Sequence, residues 1–416
     1  MTDIPVTIGE NAVENLEQFC EAQGMTRFLL VADGNTYPVL GGKVEQALKG
    51  RGWDVRSMVF GDPVVVPDEE FIFQVLLQAD QVERTYLAVG SGTLTDITRI
   101  VSHRTRCCFI SLPTAPSVDG FTSPSASLVV RRIKTTVMAQ PPAAVFADLG
   151  TLAAAPQAMI AAGYGDILGK AIALADWRLG HLLWDEPYDA GIAARVRATL
   201  DTCIEATDEI GHASPEGIRK LMYALVDSGL CMVDYGSTRP AAGTEHHMSH
   251  YLEMKLLRER RPAVLHGAKV GMCSQYPAEL YARLRQVGRT EAVKRLEAAT
   301  LPDRAAEVER IREAYGPVAE SVILEQAPFL DMDAVGFDRL RQRILAHWDD
   351  IQALAAAVPA PERLADLLQR VGGATRPAEL GLGEDEVRQA FANAHYLRNR
   401  FTIRKLGRIL GLDNHH

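Results

Sequence analysis

The stretch LAVGSGTLTDITRIV, residues 87–101, decides the reading of the fold. An apolar run ends in Gly90-Ser91-Gly92, and helical spacing takes over near Thr93, so a strand passes through a tight glycine turn into a helix. This arrangement aims unpaired backbone N–H groups and the positive end of a helix dipole at an anion, and a pyrophosphate fits it. Glycine is needed where backbone approaches phosphate closely, and Thr93 or Thr95 can add a hydroxyl donor. A strand-to-helix GxG is also a common ligand-free turn, and no third glycine completes a dinucleotide fingerprint, so the loop alone does not decide function.

Outward from this loop, short apolar or β-branched runs alternate with amphipathic segments. Residues 27–32, 55–60, 85–89, 107–112 and 144–147 read as strands, and 14–22, 44–49 and 70–78 as helices, the pattern of a parallel sheet flanked by helices. The text ASLVVRRIKTTVMA, within residues 125–141, is rich in Val, Ile and Thr and reads as a β-hairpin. From about Leu152 the strand signal vanishes and Ala/Leu/Arg-rich helical segments run to the end.

A chain of 416 residues exceeds one ordinary core. The expectation is therefore an α/β domain with a parallel sheet and a dinucleotide site over residues 1–150, then an all-helical metal- and substrate-binding domain over 151–416. Residues 359–361 and 372–377 read as interhelical turns, and the terminal DNHH as a frayed tail.

Composition narrows the function classes. A net charge of −9 argues against nucleic acid, whose binding draws on clustered Lys and Arg; the densest basic run, RERR at 258–261, reads as a solvated helix face. No apolar stretch approaches the roughly 18 uninterrupted residues of a membrane span, so no membrane insertion is expected. The opening MTDIPVTIGENAVENL lacks the pattern of a targeting segment, which gives a cytoplasmic expectation. Six cysteines without a CxxC pair read as reduced, with Cys107 and Cys108 on opposite faces of a strand.

Two further elements belong to the presumed ligand edge of the sheet. The text ISLPTAPSVDGFTSPSAS, 110–127, crowds Thr114, Ser117, Thr122 and Ser123 into a loop where open α/β sheets bind ligands, and Asp119 within it can accept from a polyol hydroxyl. Asp33, after FLLVA, can accept from an adenosine ribose, and reads equally well as a turn residue in ADGN.

The sharper signal lies in GTEHHMSHYLEM, where His246 and His250 are four apart and so share a helix face. His266 follows in VLHGAKVG, and Asp166 heads an apolar helix in AAGYGDILGK. A carboxylate and imidazoles from separate helices, with an open position, describe a catalytic divalent-metal site. Each residue alone has a plain explanation, solvent-facing for a helix histidine and helix-capping for Asp166. Three of the chain's eleven histidines within five positions favour chemistry, without deciding which of them bind metal.

Together GSGTLTD, PTAPSVDGFTS, AAGYGDILGKAIALADW, RPAAGTEHHMSH and LHGAKVG resemble the glycerol-1-phosphate dehydrogenases, in the superfamily of iron-containing alcohol dehydrogenases and dehydroquinate synthases. The resemblance covers roughly residues 25–275 and leaves the C-terminal helices unmatched. It implies that Asp166, His246 and His266 hold the metal and that His250 faces the substrate. It implies that Gly92, Thr93, Leu94, Thr95 and Asp96, next to the Gly90 read above, with Thr114, Ala115, Pro116 and Ser117 and with Ser123 nearby, line the dinucleotide, and that Asp119 contacts the substrate.

The implied reaction is NAD(P)H-dependent, reversible reduction of dihydroxyacetone phosphate to sn-glycerol 1-phosphate, with a divalent metal polarising the carbonyl and His250 relaying a proton. Catalytic roles thus fall to His250, Asp119 and Asp166. Zinc is expected, with nickel and iron as alternatives. Where long-chain iron alcohol dehydrogenases usually carry a fourth, histidine ligand, this chain has Lys170. Arg239 and Lys170 are candidates for the substrate phosphate. A glycerol dehydrogenase on unphosphorylated polyols and a dehydroquinate synthase-like lyase are the competing readings, and a homodimer is the expected assembly.

Overall fold

The computed structural model describes residues 4–131 and 133–412. The opening three residues, Arg132 and the terminal tetrapeptide DNHH, read above as a frayed tail, lie outside the described residues. The chain forms two compact units that interleave in sequence. Residues 1–167, 201–237 and 370–373 make the first, and 168–200, 238–369 and 374–416 the second.

The first unit is built on eight strands: β1 Val6–Gly9, β2 Arg27–Asp33, β3 Asp54–Phe60, β4 Thr85–Val89, β5 Phe109–Leu112, β6 Ser125–Val130, β7 Ile133–Met138 and β8 Ala144–Asp148. Six form one sheet in the order β1-β8-β5-β4-β2-β3, parallel throughout. The five strands expected from the sequence are present within two residues of their expected ends, and the excursion at 125–138 is the antiparallel β6–β7 hairpin. β1 was not expected: its four residues add to the sheet edge against β8, with Val6 opposite Val145. Cys107 and Cys108 precede β5 instead of alternating within it, half-buried, and all six cysteines are unbridged.

The near-continuous apolar runs follow from burial of both sheet faces. Phe28, Leu30 and Ala32 of β2 pack with Leu16 of α1 (Ala12–Ala22) and with Val44 and Leu48 of α2 (Gly42–Gly50). Leu29 and Val31 point to the other face, with Phe71 and Val75 of α3 (Glu69–Leu76) and Leu94, Ile97 and Val101 of α4 (Gly92–Arg104). The unit also contains α5 (Leu149–Ala153), α6 (Gln157–Leu168) up to Ile167, α9 (Thr207–Gly211) and α10 (Pro215–Tyr235), beyond α7 (Lys170–Trp184) and α8 (Ala190–Glu205) in sequence.

Among the described residues, the second unit is helical. Its core gathers Met248, Tyr251, Leu252 and Leu256 from α11 (Thr244–Glu259) and Met272 and Cys273 from α12 (His266–Arg285), with Val308, Ile311, Tyr315, Val387 and Tyr396 from the C-terminal helices. The basic run at 258–261 closes α11 with Arg258, Glu259 and Arg260 exposed, as a solvated face requires, while Arg258 also donates to the Ala314 carbonyl and Arg261 pairs with Glu386 at 2.5 Å. One helical run, Gln157–Trp184, has the length and composition of a membrane span, but 89% of its most apolar window is buried within the protein, so it serves as core.

Candidate active site: a nucleotide loop and a histidine cluster

β2 is flanked by β3 on one side and β4 on the other, so chain connections diverge from the β2 and β4 ends. A crevice at such a switch point is where open α/β sheets bind ligands. Gly90 follows β4 there. A Cβ on Gly90 would stand 2.3 Å from Leu94 Cδ1, and one on Gly92 3.1 Å from Val118 Cγ2, so both glycine positions of the turn are closely packed. Helix α4 starts at Gly92, one residue before the expected start, after Ser91 in extended conformation, whose side chain does not cap it. The Ser91 hydroxyl instead makes a short hydrogen bond with that of Ser117.

The individual residues divide. Thr95 is buried with its hydroxyl unpartnered among the described residues, and Thr93 is half-buried in the first turn. Leu94 is core, packed on Gly90. Asp96 is engaged elsewhere: it pairs with Arg99 at 2.5 Å and accepts the Ser127 N–H at 3.1 Å. Burial pushes its carboxyl up to about 6 against the pull of Arg99. The fully buried Arg99 also donates to the carbonyls of Gly120, Phe121 and Ser125, tying α4 to the serine-rich loop. At the end of β2, Asp33 Oδ1 accepts the N–H groups of Asn35 and Thr36, the turn role read from ADGN.

Thr114, Ala115, Ser117, Asp119 and Ser123 are all buried in the loop after β5. Ser123 accepts the Ser125 N–H at 3.2 Å, closing a local turn. Two helical glycines let helix backbone press on this loop. A Cβ on Gly163 of α6 would meet the Pro116 carbonyl oxygen at 1.8 Å, and one on Gly229 of α10 the Thr122 hydroxyl at 2.1 Å. Asp166 follows on α6, fully buried, with Oδ2 accepting the Asp119 N–H at 3.1 Å. Asp119 in turn accepts from Ser228 Oγ at 2.9 Å. Within this unit the two carboxylates expected to do chemistry stand together.

The second unit brings the histidines together. The ring centroids of His246 and His266 are 5.3 Å apart, those of His250 and His266 also 5.3 Å, and those of His246 and His250 6.3 Å. His246 and His250 share a face of α11 as spacing required, and His266 opens α12. His247, one position off that face, is buried, and burial together with Arg400 and Arg398 drives its pKa well below the usual value, so it is a neutral core histidine.

Sequence reading missed two carboxylates that brace this cluster. Glu245, fully buried, lies 2.7 Å from His246 Nδ1 and accepts the Gly243 N–H at 2.9 Å. Asp176 accepts the N–H and hydroxyl of Thr244 at 2.8 and 2.7 Å, the Tyr281 hydroxyl and the Ile403 N–H. The immediate adjacency of Glu245 to His246 was a usable signal; nothing local marked Asp176. The phosphate candidates fare differently. Arg239 Nε donates to the buried Glu186 at 2.8 Å, and Lys170 is fully buried in the first turn of α7.

A family model described as iron-containing alcohol dehydrogenase matches residues 7–156. The glycerol-1-phosphate dehydrogenase (NAD(P)+) of Halalkalibacterium halodurans is 37% identical over 399 residues, 95% of this chain and 90% of that one. The protein of the same name from Bacillus subtilis is 35% identical over 416 residues, 99% and 92%. The chain belongs to the glycerol-1-phosphate dehydrogenase family. Among solved structures, glycerol dehydrogenase from Schizosaccharomyces pombe superposes with a TM-score of 0.61 at 15% identity, covering 99% of this chain and 91% of that one, a likeness of fold alone. The architecture expected from the sequence, a parallel sheet followed by helices in the dehydroquinate synthase-like manner, is the one observed. The likeness to members of this family runs through the C-terminal helices, which had no recognisable motif, since the matches extend over nearly the whole chain.

Proposed function

We propose that this protein reduces dihydroxyacetone phosphate reversibly to sn-glycerol 1-phosphate with NADH or NADPH. Near-full-length kinship to glycerol-1-phosphate dehydrogenases supports the reaction and favours it over unphosphorylated polyol oxidation or a lyase reaction. The observation that carries the site assignment is the convergence of His246 and His266 with a buried carboxylate bonded to His246.

We assign Asp166, His246 and His266 to a divalent metal. The donor set fits: a buried carboxylate oriented by a backbone N–H, and two imidazoles, one of them oriented by a carboxylate. Zinc is the expected ion, and nickel and iron suit the same donors. The dinucleotide is assigned to the Gly90–Gly92 turn, whose two glycines and α4 N-terminus, not capped by the Ser91 side chain, suit a pyrophosphate, with Thr95 offering a hydroxyl that is unpartnered among the described residues. When bound, the cation polarises the substrate carbonyl and the nicotinamide supplies hydride.

The chain's own residues do the rest. Asp119, held by Ser228, accepts from a substrate hydroxyl and fixes its direction. His250, on the same face of α11 as His246, passes a proton toward the oxygen that gains charge. We expect the protein to work in the cytoplasm, as a homodimer.

The test is chiral analysis of the product formed from dihydroxyacetone phosphate and NADH or NADPH by metal-reconstituted protein. The expected result is sn-glycerol 1-phosphate with one NAD(P)H oxidised per turnover. The enantiomer, a preference for dihydroxyacetone, or turnover without net cofactor oxidation would overturn the proposal.

A further inference from the structure

The three clustered histidines differ in what holds their rings. His250 Nδ1 is 3.6 Å from Glu253 Oε2, and His266 Nδ1 is 3.5 Å from Ser249 Oγ, both at or beyond the limit of a useful hydrogen bond. His246 Nδ1 is 2.7 Å from Glu245 Oε1, the length of a charge-assisted bond. Glu245 itself is anchored. Its Oε1 also accepts the Gly243 N–H, and its Oε2 is buried with no partner among the described residues, so the carboxylate faces no competing donor of comparable strength there.

The anchor is built into the first turn of α11. A Cβ on Gly243 would lie 2.8 Å from Glu245 Oε2 and 2.9 Å from Asp176 Oδ2, so this position accommodates glycine alone. Asp176 then pins Thr244 through two hydrogen bonds and is itself held by Tyr281 and Ile403, which fixes the backbone that carries Glu245 and His246.

A carboxylate accepts and does not donate, so the short contact requires the hydrogen on Nδ1 and leaves the lone pair on Nε2. We propose that Glu245 is a positioning residue that locks His246 in the Nδ1–H tautomer and fixes its ring, so that Nε2 serves as the metal-ligating atom. This rests on the metal assignment made above. It also supplies a physical distinction between His246 and His250 that helical spacing cannot give, since both lie on one face.

The experiment uses the full chain. In the apoprotein, long-range proton–nitrogen correlation spectra, assigned by comparison with His246→Ala, read the tautomer of His246 directly. Hydrogen on Nδ1 is expected in the wild type, and a mixture in Glu245→Ala. Cobalt(II) binding, followed by visible absorption and chelator competition, should weaken roughly 10–100-fold in Glu245→Ala. Glu245→Gln, which keeps an acceptor oxygen, should recover part of that loss.

A wild-type ring protonated at Nε2 overturns the proposal whether or not any variant folds. So does cobalt affinity in Glu245→Ala within twofold of wild type while His246→Ala loses binding. Unchanged cobalt affinity in His246→Ala would instead sink the metal assignment, and this proposal with it.

Discussion

The Asp119 N–H donates to Asp166 Oδ2 at 3.1 Å, and the Asp119 carboxylate accepts from Ser228 at 2.9 Å. One loop residue thus orients the proposed metal carboxylate through its backbone and carries the proposed substrate contact on its side chain, so a small shift of the loop disturbs both. The chain of bonds spans β5's loop, α6 and α10, and its outer member is a hydroxyl with no catalytic chemistry of its own.

Removing that hydroxyl isolates the orienting effect. Ser228→Ala should cost about 1 kcal/mol of stability. KM for dihydroxyacetone phosphate should rise roughly 3–10-fold, as a less well-directed Asp119 loses about 1 kcal/mol of binding. Metal affinity should stay near wild type, because the backbone bond to Asp166 is untouched. Steady-state kinetics beside cobalt titration checks this; a loss confined to metal binding would contradict it.

The helical glycines at the loop should tolerate no methyl group. Gly163→Ala places a Cβ 1.8 Å from the Pro116 carbonyl oxygen, a contact that only backbone movement relieves. Overpacking of this kind costs about 1–3 kcal/mol. Urea denaturation should show that loss, together with a raised KM for the dinucleotide because Ser117 and Val118 move with the loop. An exposed helical glycine such as Gly191, whose nearest contact is the Asp189 side chain at 3.2 Å, serves as the control.

Arg99 has the opposite character, a buried cation that closes a network. It pairs with Asp96 and donates to three loop carbonyls, so Arg99→Met strands one carboxylate and three acceptors inside the protein. Losing one member of a buried pair costs about 3–5 kcal/mol. The double variant Arg99→Met with Asp96→Asn should recover part of the loss. Chemical denaturation of the two single variants and the double variant measures the coupling, and strict additivity would mean the pair does not act as a unit.

Lys405 provides the pH dependence. Burial pushes its ammonium down from 10.5 to about 7, against the pull of Glu186, while Nζ donates to Gln326 and stands 4.7 Å from the Phe329 ring centroid. Between these two values the unfolded chain binds the proton more tightly than the folded one, so this lysine's contribution to stability rises with pH. Relative to Lys405→Met, the wild type should gain roughly 2–3 kcal/mol between pH 7 and pH 9. Urea unfolding at both pH values tests the sign, and a difference that stays flat would show that Lys405 is charged in the fold.

Much of this protein was determined by its sequence alone, because the governing interactions are local. The apolar runs of β2, β4 and β8, the glycine turn at Gly90 and Gly92, and the four-residue spacing of His246 and His250 are consequences of strand, turn and helix geometry within a few residues. Tertiary structure decided which polar groups are spent. It gave Asp96 to Arg99 and Ser127, bonded Ser228 to an aspartate 109 residues away, and joined residues 201–237 to the sheet-bearing unit. A buried polar atom must find its partner wherever packing places one, and that choice is set by contacts far apart in the chain. For the same reason β1, too short to declare itself, exists as a strand because β8 offers it an edge.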